Sequence, residues 1–137
     1  ASNLDRLVDV AAVAPEILRG DHLVHTDIRS DNLLVTADGS VRVVDWPWAC
    51  RGVAWFDTLG LLLNLRVHGG PDVTTYSSRL TDLGATEEQV DALLAGLLGY
   101  LLHSSRLPAP PGLPTLREFQ RVQGVATLRW IRERWSG

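Results

Sequence analysis

The stretch LVHTDIRSDNLLVTADGSVRVVDW, residues 23–46, decides how the rest of the chain is read. Two short β-rich runs, NLLVT and SVRVVDW, flank Ala37, Asp38 and Gly39, a tight-turn signal, and together they read as a β-hairpin. Strands of this kind ordinarily end in residues chosen for backbone geometry. Here polar groups gather at the open end instead. His25, Asp27 and Asn32 lead into the first run, and Asp45 closes the second. The hairpin leaves from Asn32 and returns to deliver Asp45 beside it.

Outward from the hairpin the pattern is helical. Upstream, Leu4, Leu7, Val8, Ala11, Ala14 and Leu18 form a helical stripe, which Pro15 is expected to break near Ala14. HLVH then reads as a very short strand. Downstream, FDTLGLLLNLRVHGG reads as a buried helix stopped by Gly69 and Gly70, and a further helix is expected from Pro71 to Leu83. Thr86 and Gln89 make a capping box for a helix reaching His103. Its apolar run, residues 92–102, is too short to span a bilayer and reads as buried. After a proline-rich connector (107–114), the last helix carries Leu116, Phe119, Val122, Val125, Leu128, Ile131 and Trp135 at helical spacing. One short hairpin cannot be the whole sheet of an α/β domain, so the fold class is mainly α with a small β-hairpin.

With 137 residues, 45% hydrophobic and 21% charged, the chain fits an ordinary globular domain. A net charge of −3 speaks against nucleic acid as a partner, and no segment suits a membrane. The single cysteine, Cys50, allows no internal disulfide and points to a reducing, cytoplasmic compartment. It reads as a small buried hydrophobe. All 13 basic residues are Arg, and the chain has no Met, so it is expected to be a piece of a longer protein. The five Arg of the last helix (Arg117, Arg121, Arg129, Arg132, Arg134) read as a solvated face.

The chemistry lies in His25-x-Asp27-x-x-x-x-Asn32, followed by Asp45-Trp46. A loop carboxylate near an amide and a second carboxylate suits phosphoryl transfer. One Asp can orient or deprotonate a hydroxyl, while Asn32 and Asp45 hold Mg²⁺ against the phosphates, since hard cations prefer oxygen ligands. The bland alternatives are a loop cap for Asp27 and turn or strand-end caps for Asn32 and Asp45. Trp46, Trp48 and Trp55 read as core rather than as a substrate wall, and Asp31 as solvated.

At these residues the sequence resembles the aminoglycoside phosphotransferase family, kinase relatives that phosphorylate small-molecule hydroxyls. HTDIRSDN resembles the family's H-G-D-x-x-x-x-N catalytic loop (25–32). Val44-Asp45-Trp46 resembles its I-D-W metal-binding segment (44–46), and GVAWFDTL partly matches G-D-P-A-x-D-L-A, keeping Gly52 and Asp57. The resemblance implies a C-terminal lobe of a protein-kinase-like fold over residues 1–137, with a helical subdomain at 55–137 and the N-terminal lobe absent. It implies Asp27 as catalytic base and Arg29 near the transferred phosphate. Asn32 and Asp45 become ligands of Mg²⁺ and of the ATP or GTP donor, with His25 and Asp57 as structural support. Thr26 stands where the family has Gly, a replacement that ordinary backbone angles would tolerate. Val53 and Ala54 replace its Asp-Pro.

The function so implied is a phosphotransferase acting on a small-molecule hydroxyl, inactive as an isolated lobe and prone to self-associate through the surface that would face the missing lobe. The alternative is a non-catalytic, kinase-like binding domain. A third reading, a metal-dependent hydrolase using His25, Asp27 and Asp45, lacks the further His residues such sites gather. The basic last helix speaks against a polycationic substrate.

Overall fold

The structure, a computed structural model, describes residues 3–137. In chain order its elements are α1 (Asn3–Ile17), β1 (His22–Val24), β2 (Leu33–Val35), β3 (Val41–Val43) and β4 (Cys50–Gly52). The helices α2 (Phe56–Val67), α3 (Ser78–Asp82), α4 (Glu87–Ser104) and α5 (Leu116–Trp135) follow. The chain divides into two compact units. One joins the N-terminal segment through Leu18 to Thr86–Gly137, and the other is Arg19–Ala85. The helical region 55–137 is therefore split: α2 and α3 belong with the strands, α4 and α5 with α1.

The first unit is built on α4. Thr86 Oγ1 accepts from Gln89 N at 3.2 Å while Gln89 Oε1 accepts from Thr86 N at 3.1 Å, a reciprocal cap that satisfies two otherwise orphaned donors. The same Gln89 donates its amide to Ile17 O at 2.9 Å and ties the end of α1 to the start of α4. Val90, Leu93, Leu94, Leu98 and Leu101 are buried along α4 at three- and four-residue spacing. A Cβ on Gly124 of α5 would lie 2.7 Å from Leu102 Cδ2, so the Leu102 side chain of α4 packs directly against this glycine. This explains a shift in the buried face of α5. It centres on Gln120, Gly124, Thr127, Trp130 and Ile131, while Leu116, Phe119, Val122, Val125, Leu128 and Trp135 flank it half-buried. Gly124 and Thr127 are the small members of that line, beside the larger Gln120, Trp130 and Ile131. Nor is the Arg row wholly solvated. Arg134 bonds Asp91 Oδ1 at 2.6 Å and Glu87 Oε2 at 2.7 Å, beside Trp135 Nε1 donating to Asp91 Oδ2 at 2.7 Å.

In α1 the helix continues through Pro15, and Leu18 N donates to Ala14 O at 3.1 Å. So near the C-terminal end, the missing proline N–H removes one bond and leaves the last turn intact. Of the expected stripe only Ala14 is buried; Leu4 and Val8 are exposed.

The second unit holds two antiparallel pairs. The hairpin forms with Leu33 opposite Val43 and Val35 opposite Val41. Its turn is closed by the Asp38 carboxylate, which accepts from the Thr36 hydroxyl, from Ser40 N at 3.0 Å and from Ser40 Oγ at 2.8 Å. An unexpected strand, β4, pairs with β1 (Leu23 opposite Arg51). Cys50 begins that strand and is exposed, not buried as expected. Pro71 to Leu83 is not one helix but a 3-10 turn (Val73–Thr75) capped by Asp72, then the five-residue α3. Val24, Trp55, Leu59, Leu62, Leu63, Val73 and Leu80 form the core of this unit.

Gly20 enters β1 against the backbone of β4: a Cβ there would lie 2.3 Å from Gly52 O and 2.8 Å from Val53 N. Backbone cannot yield as a side chain can. Gly20→Ala is expected to destabilise the protein by about 2–3 kcal/mol in denaturant unfolding, at the upper end of overpacking costs.

The bonds from the Thr36 hydroxyl, then from the Ser40 backbone and hydroxyl, lower the Asp38 carboxyl from its ordinary 3.8 to about 2. Because the folded value is depressed, this support for the turn is complete above 3.8 and is lost as pH falls through about 2. The Ser40 amide resonance should therefore titrate with a midpoint near 2, and not near 3.8, in an NMR pH series.

Candidate active site

The loop after β1 is held from three sides. His25 is 1% exposed, and its ring is fully committed. Nδ1 accepts from Asp27 N at 3.2 Å, which puts the proton on Nε2, and Nε2 donates to Val44 O at 2.8 Å. With both ring nitrogens engaged, His25 has no lone pair for a metal, which removes the hydrolase reading.

Asp57, in the first turn of α2, accepts from His25 N at 2.7 Å and from Thr26 N at 2.9 Å, one bond to each carboxylate oxygen. These bonds hold a strained backbone. Thr26 has φ 69° and Asp45 has φ 64°, the two non-glycine residues with positive φ among the described residues. The angles of Thr26 are thus not ordinary. A β-branched residue in this region costs roughly 1–3 kcal/mol and persists only where its surroundings over-determine it. Both strained residues lie within the motif.

Asn32 ends a 3-10 turn (Ser30–Asn32) and is buried. Its Nδ2 donates to Asp27 O at 2.9 Å, with Asp27 Oδ2 at 3.5 Å. Its carbonyl accepts from Val44 N at 3.0 Å, extending the hairpin ladder one step past β2 and β3. That bond brings Asp45 to the open end of the hairpin beside Asn32. With its amide nitrogen turned to Asp27, the oxygen of Asn32 is the end left to coordinate a cation. Carboxylate and amide oxygens are the donors a hard cation such as Mg²⁺ takes, so these residues fit one.

Arg29 Nε lies 3.4 Å from Asp27 Oδ1 and 3.2 Å from Asp31 Oδ1, joining positive charge to the loop carboxylates. Asp31, the more exposed of the two acids, is ion-paired as well as solvated. The arrangement thus offers a half-exposed carboxylate fixed at its backbone, a guanidinium and an amide beside it, and Asp45 next in the chain after the paired Val44.

One residue escaped the sequence reading, and another was expected in the wrong place. Asn64 of α2 is buried, and its Oδ1 accepts from Ser30 N at 3.2 Å, supporting the loop from below. Its signal was an Asn inside the apolar run LLLNL. Trp46 is the other, expected in the core but 43% exposed. Its Nε1 donates to Val43 O at 2.9 Å, and its ring meets His25 edge-on with centroids 4.7 Å apart. Trp48 is more exposed still, at 72%, and of the three tryptophans only Trp55 is core.

One comparison with known proteins gives a partial match. Over 86 residues the chain is 34% identical to "Serine/threonine-protein kinase PEPKR2" of Arabidopsis thaliana, a match covering 63% of this chain and 16% of the plant protein. The similarity is thus kinase-like, and the chain spans a small part of that relative. No protein-family profile matches the chain. No solved structure matches it either.

Asp57→Ala removes the acceptor of two loop donors at once. It is expected to destabilise the protein by about 2–3 kcal/mol, since each donor left unsatisfied costs about 1–3 kcal/mol and part is regained by hydration. Asp57→Asn, which keeps one acceptor oxygen, should lose less. Urea unfolding of the two variants checks the order.

Proposed function

We propose that this chain is the catalytic-loop lobe of a kinase-like phosphotransferase, which moves the terminal phosphoryl group of ATP or GTP to the hydroxyl of a small molecule. The reading is carried by one observation. The loop bearing Asp27 and Asn32 is bonded on both sides of Val44, through His25 Nε2 to Val44 O and Val44 N to Asn32 O, so Asp45 follows directly at the mouth.

In the proposed step the acceptor hydroxyl gives its proton to the Asp27 carboxylate as its oxygen bonds the terminal phosphorus. The bond from that phosphorus to the bridging oxygen breaks, leaving the nucleoside diphosphate. Asp27 is suited to this because its own N–H and C=O are occupied by His25 and Asn32, which fixes the backbone, while its carboxylate, beside Arg29 Nε and Asn32 Nδ2, stays half-exposed. Arg29 carries the positive charge that faces the transferred group. A Mg²⁺ held by the Asn32 oxygen and Asp45 would supply charge neutralisation along the phosphates.

Kinase-like similarity favours a hydroxyl acceptor. The resemblance of Val44-Asp45-Trp46 to the small-molecule kinases favours a small one over a protein.

The test is Asp27→Asn in the protein that carries this chain. The substitution keeps shape and removes charge. Phosphoryl transfer to the accepted small molecule is expected to fall about 10²–10⁴-fold, the usual contribution of a general base, with circular dichroism and nucleotide binding unchanged. A loss of less than tenfold in a folded variant would reduce Asp27 to a loop cap. Transfer to protein acceptors alone would overturn the small-molecule assignment, and nucleotide binding without any transfer would favour a kinase-like binding domain.

A further inference from the structure

We infer that Thr26 is a positioning residue, whose hydroxyl tethers the turn after Asp45 to the catalytic loop. Three observations meet at this residue. Its backbone is left-handed, at φ 69°, a conformation glycine would adopt without strain. Its N–H is fixed by Asp57 Oδ1 at 2.9 Å. Its Oγ1 donates to Trp48 O at 3.2 Å, across 22 residues of sequence. The strained backbone is therefore accompanied by a contact that glycine lacks.

The far end of the tether is a tight turn closed by Ala49 N donating to Trp46 O at 3.1 Å. That turn follows directly on Asp45, the other left-handed residue. His25 and Asn32 already hold Val44, on the near side of Asp45. Thr26 holds Trp48, on its far side. Asp45 is thus pinned from both directions, and Thr26 supplies the second pin. A carboxylate that must meet a cation at fixed distance gains from both, because a ligand free to swing loses affinity on ordering.

What the turn does for a cation rests on the phosphotransfer reading; the tether does not. The experiment separates the two, using the chain itself with Thr26→Val, Thr26→Ser and Thr26→Gly. Val is isosteric and β-branched, so it keeps the strain and removes only the hydroxyl. Amide hydrogen exchange at Ala49 reports the turn without any metal, and Mg²⁺ titration followed by tryptophan fluorescence reports the cation site.

Exchange at Ala49 is expected to quicken about three- to tenfold in Thr26→Val and Thr26→Gly, the scale of one net hydrogen bond, and to return to the wild-type rate in Thr26→Ser. Mg²⁺ affinity should fall by a similar factor in Val and Gly and recover in Ser. Thermal unfolding controls for the fold, since Thr26→Gly relieves backbone strain and should not melt earlier than Thr26→Val. Wild-type exchange at Ala49 in both Val and Gly would overturn the tether. Faster exchange, restored by Ser, with no Mg²⁺ binding by any variant including wild type, would uphold the tether and count against the phosphotransfer reading alone.

Discussion

The carboxylate of Asp57 is the constraint on which the candidate site depends. It comes from the first turn of a helix, whose position is fixed by the burial of Leu59, Leu62 and Leu63 in the same unit. From there it accepts two consecutive backbone N–H groups, those of His25 and Thr26. The left-handed turn of Thr26 follows immediately on these two anchored N–H groups. Hydrogen bonds to an ionised acceptor are among the stronger ones in proteins. They make the bend tolerable, and the bend in turn sets where Asp27 leaves the loop.

The remaining supports act through this frame. His25 spans from Asp27 N to Val44 O, joining the loop to the strand that returns from the hairpin. Asn32 repeats the connection one step along, and Asn64 holds the intervening Ser30. Every polar side chain buried in this unit, His25, Asn32 and Asn64, is thus spent on positioning the same few residues. Buried polar groups are retained where their bonds are satisfied, and here their partners are loop and strand-end backbone rather than other core groups.

Around this polar centre the surface is apolar in places. Trp46 and Trp48, with Leu34, Val35 and Val41 of the hairpin, remain exposed. Trp46 is nonetheless fixed, by its indole bond to Val43 and its edge contact with His25.

The sequence by itself determined the elements whose cause is local. The hairpin was legible because Asp38 and Gly39 make a turn that needs nothing from the rest of the chain. The start of α4 was legible because Thr86 and Gln89 cap it within one turn. The motif spacing also carried the expectation that the chain returns beside Asn32, and Val44 N does bond Asn32 O there. Tertiary structure alone decided the rest. The pairing of β1 with β4 joins residues about thirty positions apart, a contact that three-residue strands cannot signal. The buried face of α5 was set by how closely α4 approaches Gly124, which no helical period records. The burial of Trp55, with Trp46 and Trp48 exposed, is likewise a matter of tertiary packing that the residue type does not record. The left-handed bend at Thr26 was the least legible of all. Local preference opposes it in a β-branched residue, and the contacts that accompany it come from Asp57 and Trp48, 31 and 22 residues away.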